Sequence, residues 1–347
     1  MIDSSRLATW LDSTDLPGRG EPLEVRDLSG GSQNAVVELK RSELHGVVRI
    51  PPPSAPAERD KGIAREWRIL EALEGTDVPH TTPLAMCADP TVLGRPFYLM
   101  TYVDGWSLGG DWPTPFDKDL SARRDLAFQL VEGIALLGNV DWQAKGLQDF
   151  GRPDGFHERQ VQRWTAFLAR IKGREIPGFA EAAHWLTRHK PIDFVPGLMH
   201  GDYGFANVMF GHGSPPRLAA IIDWEMTTIG DPKLDLGWAL SFLPADPLDP
   251  TQTGGVEGNF YGMPTRDALA GRYADVSGRQ VEDLDFYLIL ALWKLAVVLE
   301  QSYQRAGDNE RLQAFGPMVL DLMMRAADLA ETTRYGARAA ERVNASS

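Results

Sequence analysis

Leu198-Met199-His200-Gly201-Asp202-Tyr203-Gly204-Phe205-Ala206-Asn207-Val208-Met209-Phe210, with Leu218-Ala219-Ala220-Ile221-Ile222-Asp223-Trp224-Glu225 after it, decides how this chain reads. Val208–Phe210 and Leu218–Ile222 are β-prone runs, and the connector Gly211-His212-Gly213-Ser214-Pro215-Pro216-Arg217 consists of turn formers. The spacing predicts a β-hairpin. Asn207 then stands just before the first strand and Asp223 just after the second, so both fall at the hairpin's open end. Asp202 lies on the loop leading in. An amide oxygen and two carboxylates are thus expected to converge. Few hard oxygen donors suit Mg²⁺ that nucleotide phosphates also hold. Phosphoryl transfer needs little else from a protein than a positioned acceptor hydroxyl and a carboxylate to orient it or take its proton. Asp202 fits that last role, while Asn207 and Asp223 fit the metal.

Upstream, the first hundred residues are mixed. β-like runs at Ala35–Leu39, Gly46–Ile50 and Phe97–Val103 flank one helical segment, about Lys61 to Leu73. That helix carries Ile63, Trp67, Leu70 and Leu73 on one face. Glu66 falls inside the same stripe, where a carboxylate is costly unless a cation meets it. Arg49, in Val47-Val48-Arg49-Ile50, is the nearest preceding candidate on a β-like run. Pro51-Pro52-Pro53-Ser54-Ala55-Pro56 continues neither element and reads as a mobile connector. From Asp104 onward helical patterning dominates, at Arg123–Leu137 and at Leu284–Ser302, which is apolar nearly all round and implies a helix inside a large lobe. Asp104–Lys118 and Pro244–Pro264 read as long, Gly- and Pro-rich loops. The expectation is an α+β fold with a small β-rich lobe followed by a larger, mainly helical one, and a boundary near Val103–Gly105.

Composition sets outer bounds. A chain of 347 residues suits two lobes, and its net charge of −13 argues against nucleic acid or an anionic membrane as partner. Cys87 is the only cysteine, which excludes a disulfide framework and a cysteine-built metal site and fits a reducing cytoplasm; it reads as a small core residue. The start lacks the pattern of a signal peptide. The most apolar stretch, Phe286–Leu299, is too short to span a bilayer and contains Lys294. The expectation is a cytoplasmic protein whose partner is a small molecule; its oligomeric state is not readable.

His200-Gly201-Asp202 with Asn207 resembles the catalytic loop of the aminoglycoside phosphotransferase and choline kinase family, relatives of the protein kinases. Asp223 resembles the family's metal-binding aspartate, and Gly230-Asp231-Pro232-Lys233-Leu234-Asp235-Leu236 the segment that follows it. Ser29-Gly30-Gly31-Ser32-Gln33-Asn34 is similar to the nucleotide-covering loop. Arg49 occupies the position of the ATP-phosphate lysine, and Glu66 that of its helical partner. Phe97-Tyr98-Leu99-Met100-Thr101-Tyr102-Val103 resembles the adenine-binding hinge.

The resemblance implies a protein-kinase-like two-lobed fold with ATP in the cleft between lobes. Residues 1–103 would form the nucleotide-binding lobe and residues 104–347 the catalytic and substrate-binding lobe. It implies a phosphotransferase with an alcohol group as acceptor, using ATP and Mg²⁺. Gly30, Gly31, Ser32, Asn34, Arg49, Glu66, Met100, Tyr102 and Val103 would meet the nucleotide, Asn207 and Asp223 the metal, and Asp202 would be catalytic. Arginine at position 49 keeps the charge of the usual lysine but presents a planar fork.

Arg49, the prolines after it, Val140-Asp141-Trp142 and Glu158-Arg159-Gln160-Val161-Gln162-Arg163-Trp164 resemble a branch that occurs fused to or beside acyl-CoA dehydrogenases. The histidine that branch carries before Val140 is absent, and Leu137-Gly138-Asn139 stands there. The branch implies a hydroxyacyl-CoA or another metabolic hydroxyl compound as acceptor. The family name implies an aminoglycoside, and a nucleotide-binding pseudokinase is the rival from another class. An acidic acceptor pocket built from Asp104, Asp111 or Glu225 would favour the aminoglycoside; a basic one with Arg159 or Arg163 would favour the acyl-CoA. Arg159 and Arg163 read equally as surface charges, and Glu225 as a solvated side chain. His200 reads as a scaffold bonded to backbone near Asp223. Asp235 either anchors the catalytic loop or caps a helix starting at Leu236.

Overall fold

The computed structural model describes residues 2–28, 34–171, 173–213, 215–244, 247–248 and 260–335. It divides into two compact units. The first comprises residues 1–107, 144–147 and 207–226, the second residues 108–143, 148–206 and 227–347.

The first unit begins with α1 (Ser4–Leu11), β1 (Glu24–Leu28), β2 (Ala35–Arg41), β3 (Leu44–Ile50), α2 (Glu58–Leu73), β4 (Pro83–Cys87), α3 (Pro90–Leu93) and β5 (Phe97–Thr101). Its five strands form an antiparallel sheet in the order β1-β2-β3-β5-β4. Leu7 and Leu11 pack on Val37, Leu39, Val48, Phe97 and Leu99, with Cys87 in the same core. Burial raises the Cys87 thiol's pKa, consistent with a packing residue. Sequence patterning does not register β1 or β4, and the reasons are local. β1 is a charged edge strand and β4 opens on proline, both uncommon in central strands.

The buried stripe of α2 is Ile63, Glu66, Ile69, Leu70 and Leu73. Trp67 sits at its margin rather than within it, tilted against Tyr98 with ring centroids 6.1 Å apart. The proline segment before α2, expected to be mobile, is tied down. Arg95 donates to the Ala55 carbonyl at 2.7 Å and the Pro56 carbonyl at 3.0 Å, and reaches Asp60 at 2.7 Å.

The second unit supplies α4 (Leu120–Gly138), α5 (Phe156–Ile171), α6 (Phe179–Arg188) and β6 (Gly197–Met199). The predicted hairpin follows as β7 (Val208–Phe210) and β8 (Leu218–Ile221), paired antiparallel, and belongs to the first unit. There His80 bridges Ile221, and Trp106 exchanges backbone hydrogen bonds with Phe210 at 2.8 Å. A Cβ at Gly105 would meet the Phe210 carbonyl oxygen at 2.6 Å, so glycine is what lets this segment approach β7. Back in the second unit, β9 (Thr228–Gly230) pairs with β6. Then come α7 (Lys233–Ser241), α8 (Arg266–Ser277), α9 (Leu284–Gln304), α10 (Glu310–Gln313) and α11 (Phe315–Thr332). Apolar on nearly every face, α9 is buried along most of its length against α5, α6, α7 and α11. The chain therefore has a small antiparallel-sheet lobe and a larger helical lobe. Among the described residues no helix is long and apolar enough to cross a membrane.

Candidate active site

In the first unit, Arg49 projects from β3 and divides its guanidinium between two carboxylates. Its Nε lies 2.7 Å from Glu66 Oε2, and its Nη2 donates to Asp223 Oδ1 at 2.6 Å. The cation that the apolar stripe of α2 demanded is the one expected. Tyr98 adds a hydrogen bond, its hydroxyl donating to Glu66 at 2.9 Å. Burial pushes the Glu66 carboxyl up to about 7 against the pull of Arg49 and Tyr98. Burial alone would lower the guanidinium's pKa, but Glu66 and Asp223 outweigh it and hold Arg49 charged. A lysine in this place offers one ammonium, whereas the arginine fork spans two acceptors in different directions.

Asn207 and Asp223 flank the hairpin's open end as its pattern required. The Ile222 amide donates to the Asn207 carbonyl at 3.0 Å, which brings the residue before β7 beside the residue before Asp223. Asp223 has φ of 65°, in the left-handed region that only short polar residues tolerate at modest cost. One residue of strain is thus spent on turning this carboxylate out of the strand. An amide oxygen and a carboxylate, both hard donors, form a set that Mg²⁺ could use when phosphates complete its shell. Glu225 is not a solvated side chain: Arg59 donates to it at 3.0 Å, and burial followed by the Asp223 charge raises its pKa.

Of the other residues expected to meet the nucleotide, Asn34 is buried just before β2. Met100 is the next-to-last residue of β5, its sulfur 3.2 Å from the Thr81 hydroxyl. Tyr102 donates its amide to the His45 carbonyl at 3.2 Å and stacks on the His45 ring at 4.0 Å. Val103 follows, half-buried. Gly30, Gly31 and Ser32 lie outside the described residues.

In the second unit, the loop carrying Asp202 is fixed from beneath by Asp235. The His200 amide donates to Asp235 Oδ2 at 2.6 Å and the Gly201 amide to Oδ1 at 2.9 Å. Asp235 therefore anchors the loop. It does not cap the helix, which starts at Lys233 with Pro232 in the cap position. Burial raises the Asp235 carboxyl's pKa, and the hydrogen bonds from the two loop amides oppose that rise. His200 is fully buried, and its Nδ1 accepts the Asp202 amide at 3.3 Å, placing the neutral ring's proton on Nε2. Asp202 itself accepts a hydrogen bond from Trp238 Nε1 at 3.1 Å.

Two residues that sequence patterning left unassigned complete this floor. Lys294 Nζ lies 3.5 Å from the Gly201 carbonyl, 4.5 Å from the Trp238 ring centre and 5.4 Å from that of Trp164. Its position inside an apolar helix was the available signal, since a buried ammonium demands partners. Asp231, fully buried, accepts from the Lys233 amide at 3.1 Å, from the Tyr287 hydroxyl and, at 3.0 Å, from His157 Nε2.

Residues 24–272 match the profile of the phosphotransferase enzyme family. The chain belongs to that family. Acyl-CoA dehydrogenase family member 11 of Gallus gallus is 30% identical over 325 residues, which cover 90% of this chain and 41% of that protein. The chain thus spans less than half the length of the curated relatives it matches first. A Ralstonia eutropha protein, described as a candidate aminoglycoside phosphotransferase, superposes with a TM-score of 0.80 at 28% identity, covering 95% of this chain and 99% of that one. ADP-bound aminoglycoside phosphotransferase APH(2'')-Ib shares the fold at a TM-score of 0.58 and 14% identity, covering 94% and 99%. Phosphotransferase membership, a kinase-like fold and likeness to the acyl-CoA dehydrogenase branch are therefore established for this chain.

Proposed function

We propose that this phosphotransferase is an ATP-dependent kinase that moves the γ-phosphoryl group of ATP to a hydroxyl of a small molecule. The observation that carries the reading is the Arg49 fork. A strand cation meets a buried helix carboxylate at 2.7 Å and the carboxylate ending the hairpin at 2.6 Å, which is how phosphate-binding and metal-binding groups are brought into register.

In this reading Arg49, oriented by Glu66, meets the ATP phosphates. Gly30, Gly31, Ser32 and Asn34 cover them, and Met100, Tyr102 and Val103 border the adenine. Asn207 and Asp223 would hold Mg²⁺, which supplies charge neutralisation on the transferred group. Asp202 takes the proton of the acceptor hydroxyl as its oxygen bonds to phosphorus. The bond from phosphorus to the β,γ-bridging oxygen breaks, and ADP leaves. Trp238 keeps the Asp202 carboxylate oriented through Oδ1.

The acceptor we favour is a hydroxyacyl-CoA, supported by likeness to acyl-CoA dehydrogenase family members. The acidic residues that would suit an aminoglycoside give it little support. Glu225 is engaged by Arg59, and Asp104 stands 86% exposed, 3.7 Å from His212.

Mg²⁺-dependent ADP release, measured over hydroxyacyl-CoAs, simple alcohols and aminoglycosides, tests the reading. Asp202→Asn is expected to lower turnover at least about a hundredfold. An equal rate in that variant would overturn the role of Asp202. ATP binding without ADP release for any acceptor would favour a nucleotide-binding module without turnover.

A further inference from the structure

The second unit contains a cavity of about 630 Å³ lined by Arg152, Arg159 and Arg163, with Gln160, Gln162 and Thr228 among its polar walls. That volume lies within the usual range of small-molecule sites. Its charge is the unexpected property. The chain carries 35 basic against 48 acidic residues, yet three arginines line this one recess and, among the described residues, no acidic residue does.

None of the three arginines forms an ion pair with a carboxylate among the described residues. Arg159 is held by backbone, donating to the carbonyls of Arg152 and Asp154. Arg163 lies over the Trp164 ring at 5.4 Å. The nearby Glu158 is engaged elsewhere, 3.2 Å from Lys190. Clustered like charges repel one another, so a site that gathers them without counter-charge is arranged for an anion from outside. Arginine is also the residue whose planar fork matches phosphate oxygens two at a time.

The recess is wired to the catalytic loop within the same unit. Arg163 covers Trp164, Trp164 packs on the Lys294 ammonium, and Lys294 packs on Trp238, which donates to Asp202. The Lys294 ammonium senses both ends of this chain. Burial first, and the Arg163 charge last, lower its pKa, while the Asp235 and Asp202 carboxylates hold it up.

We propose that the cavity of Arg152, Arg159 and Arg163 is a subsite for a diphosphate-bearing handle on the acceptor, anchoring that end while the hydroxyl lies at Asp202. The proposal rests on the kinase reading for the word acceptor, and its test is chosen to need no turnover. Arg152 and Arg163 are exposed and replaceable without touching the core, whereas Arg159 holds a loop. Coenzyme A and inorganic pyrophosphate are titrated calorimetrically into the parent and into a double variant, Arg152→Glu with Arg163→Glu. The titrations are run with and without a non-hydrolysable ATP analogue.

The parent is expected to bind coenzyme A in the presence of the analogue. The double variant should lose at least about tenfold in affinity, as expected when charge-assisted phosphate contacts are removed. Arg152→Lys with Arg163→Lys should recover part of it. Affinity unchanged in the double variant, no binding by the parent at millimolar ligand, or binding abolished by the ATP analogue would each overturn the proposal. The last result would assign the diphosphate to the nucleotide's own site. Failure of every acceptor to release ADP would count against the kinase reading alone.

Discussion

Asp223 in the first unit and Asp235 in the second are both carboxylates on which the proposed chemistry depends, and they are held by opposite means. Asp223 is paired to a side chain, the Arg49 guanidinium, and is 38% exposed. Asp235 is fully buried and accepts two backbone amides of the loop that carries Asp202. A carboxylate held by a flexible cation can change partners at modest cost, which suits a group that takes a metal or phosphates. A carboxylate held by buried amides cannot let go without leaving those amides unpaired, which suits a group that fixes a loop. Asp223 stays exchangeable, and Asp235 fixes its loop.

The contrast breaks hardest at Asp235. Asp235→Ala leaves the His200 and Gly201 amides without their acceptor and should cost about 3–5 kcal/mol of unfolding free energy, read by urea denaturation. Asp235→Asn, which keeps one acceptor oxygen, should cost less. Stability within 1 kcal/mol of the parent for the alanine variant, on the order of a surface change, would remove the distinction between the two units.

Glu66 gives the next largest effect, through pH. Its pKa is raised from 4.5 to about 7 by burial, so the folded protein holds this proton more tightly than the unfolded chain. The group's contribution to stability is complete below about pH 4.5 and is lost as pH climbs through about 7, by at most about 3 kcal/mol. Denaturation midpoints from pH 5 to pH 8 should fall in the parent relative to Glu66→Gln. Parallel profiles would mean that Arg49 and Tyr98 fully offset the burial.

The smallest change sharpens the contrast. Arg49→Lys keeps one carboxylate within reach and gives up the other, and should cost about 1 kcal/mol, the scale of a partly exposed ion pair. A loss as large as that of Asp235→Ala would show the Arg49 fork to be as fixed as the loop that carries Asp202.

Local signals carried much of this molecule. The turn residues Gly211 to Arg217 between two apolar runs were sufficient for the hairpin, and the position of Glu66 in an apolar stripe was sufficient to demand a cation. The charged β1 and the proline-led β4 escaped notice because their patterns are those of loops until a neighbouring strand pairs with them. Trp238 carried no local signal of its role, and Lys294 only its place inside an apolar helix. Their polar atoms meet the Asp202 loop only because α7 and α9 pack together.

The sequence by itself determined the hairpin, the α2 stripe, the motif around Asp202 and the family to which they belong. These depend on periodicity, turn propensity and residue type within short spans. The tertiary structure alone decided that Arg49 divides its fork between Glu66 and an aspartate 174 positions away. It also decided that Asp235 anchors a loop rather than capping a helix, and that three arginines share one recess. A hydrogen bond is satisfied wherever packing brings donor and acceptor together. Which pair meets across such separations is a property of the assembled core, and no local pattern encodes it.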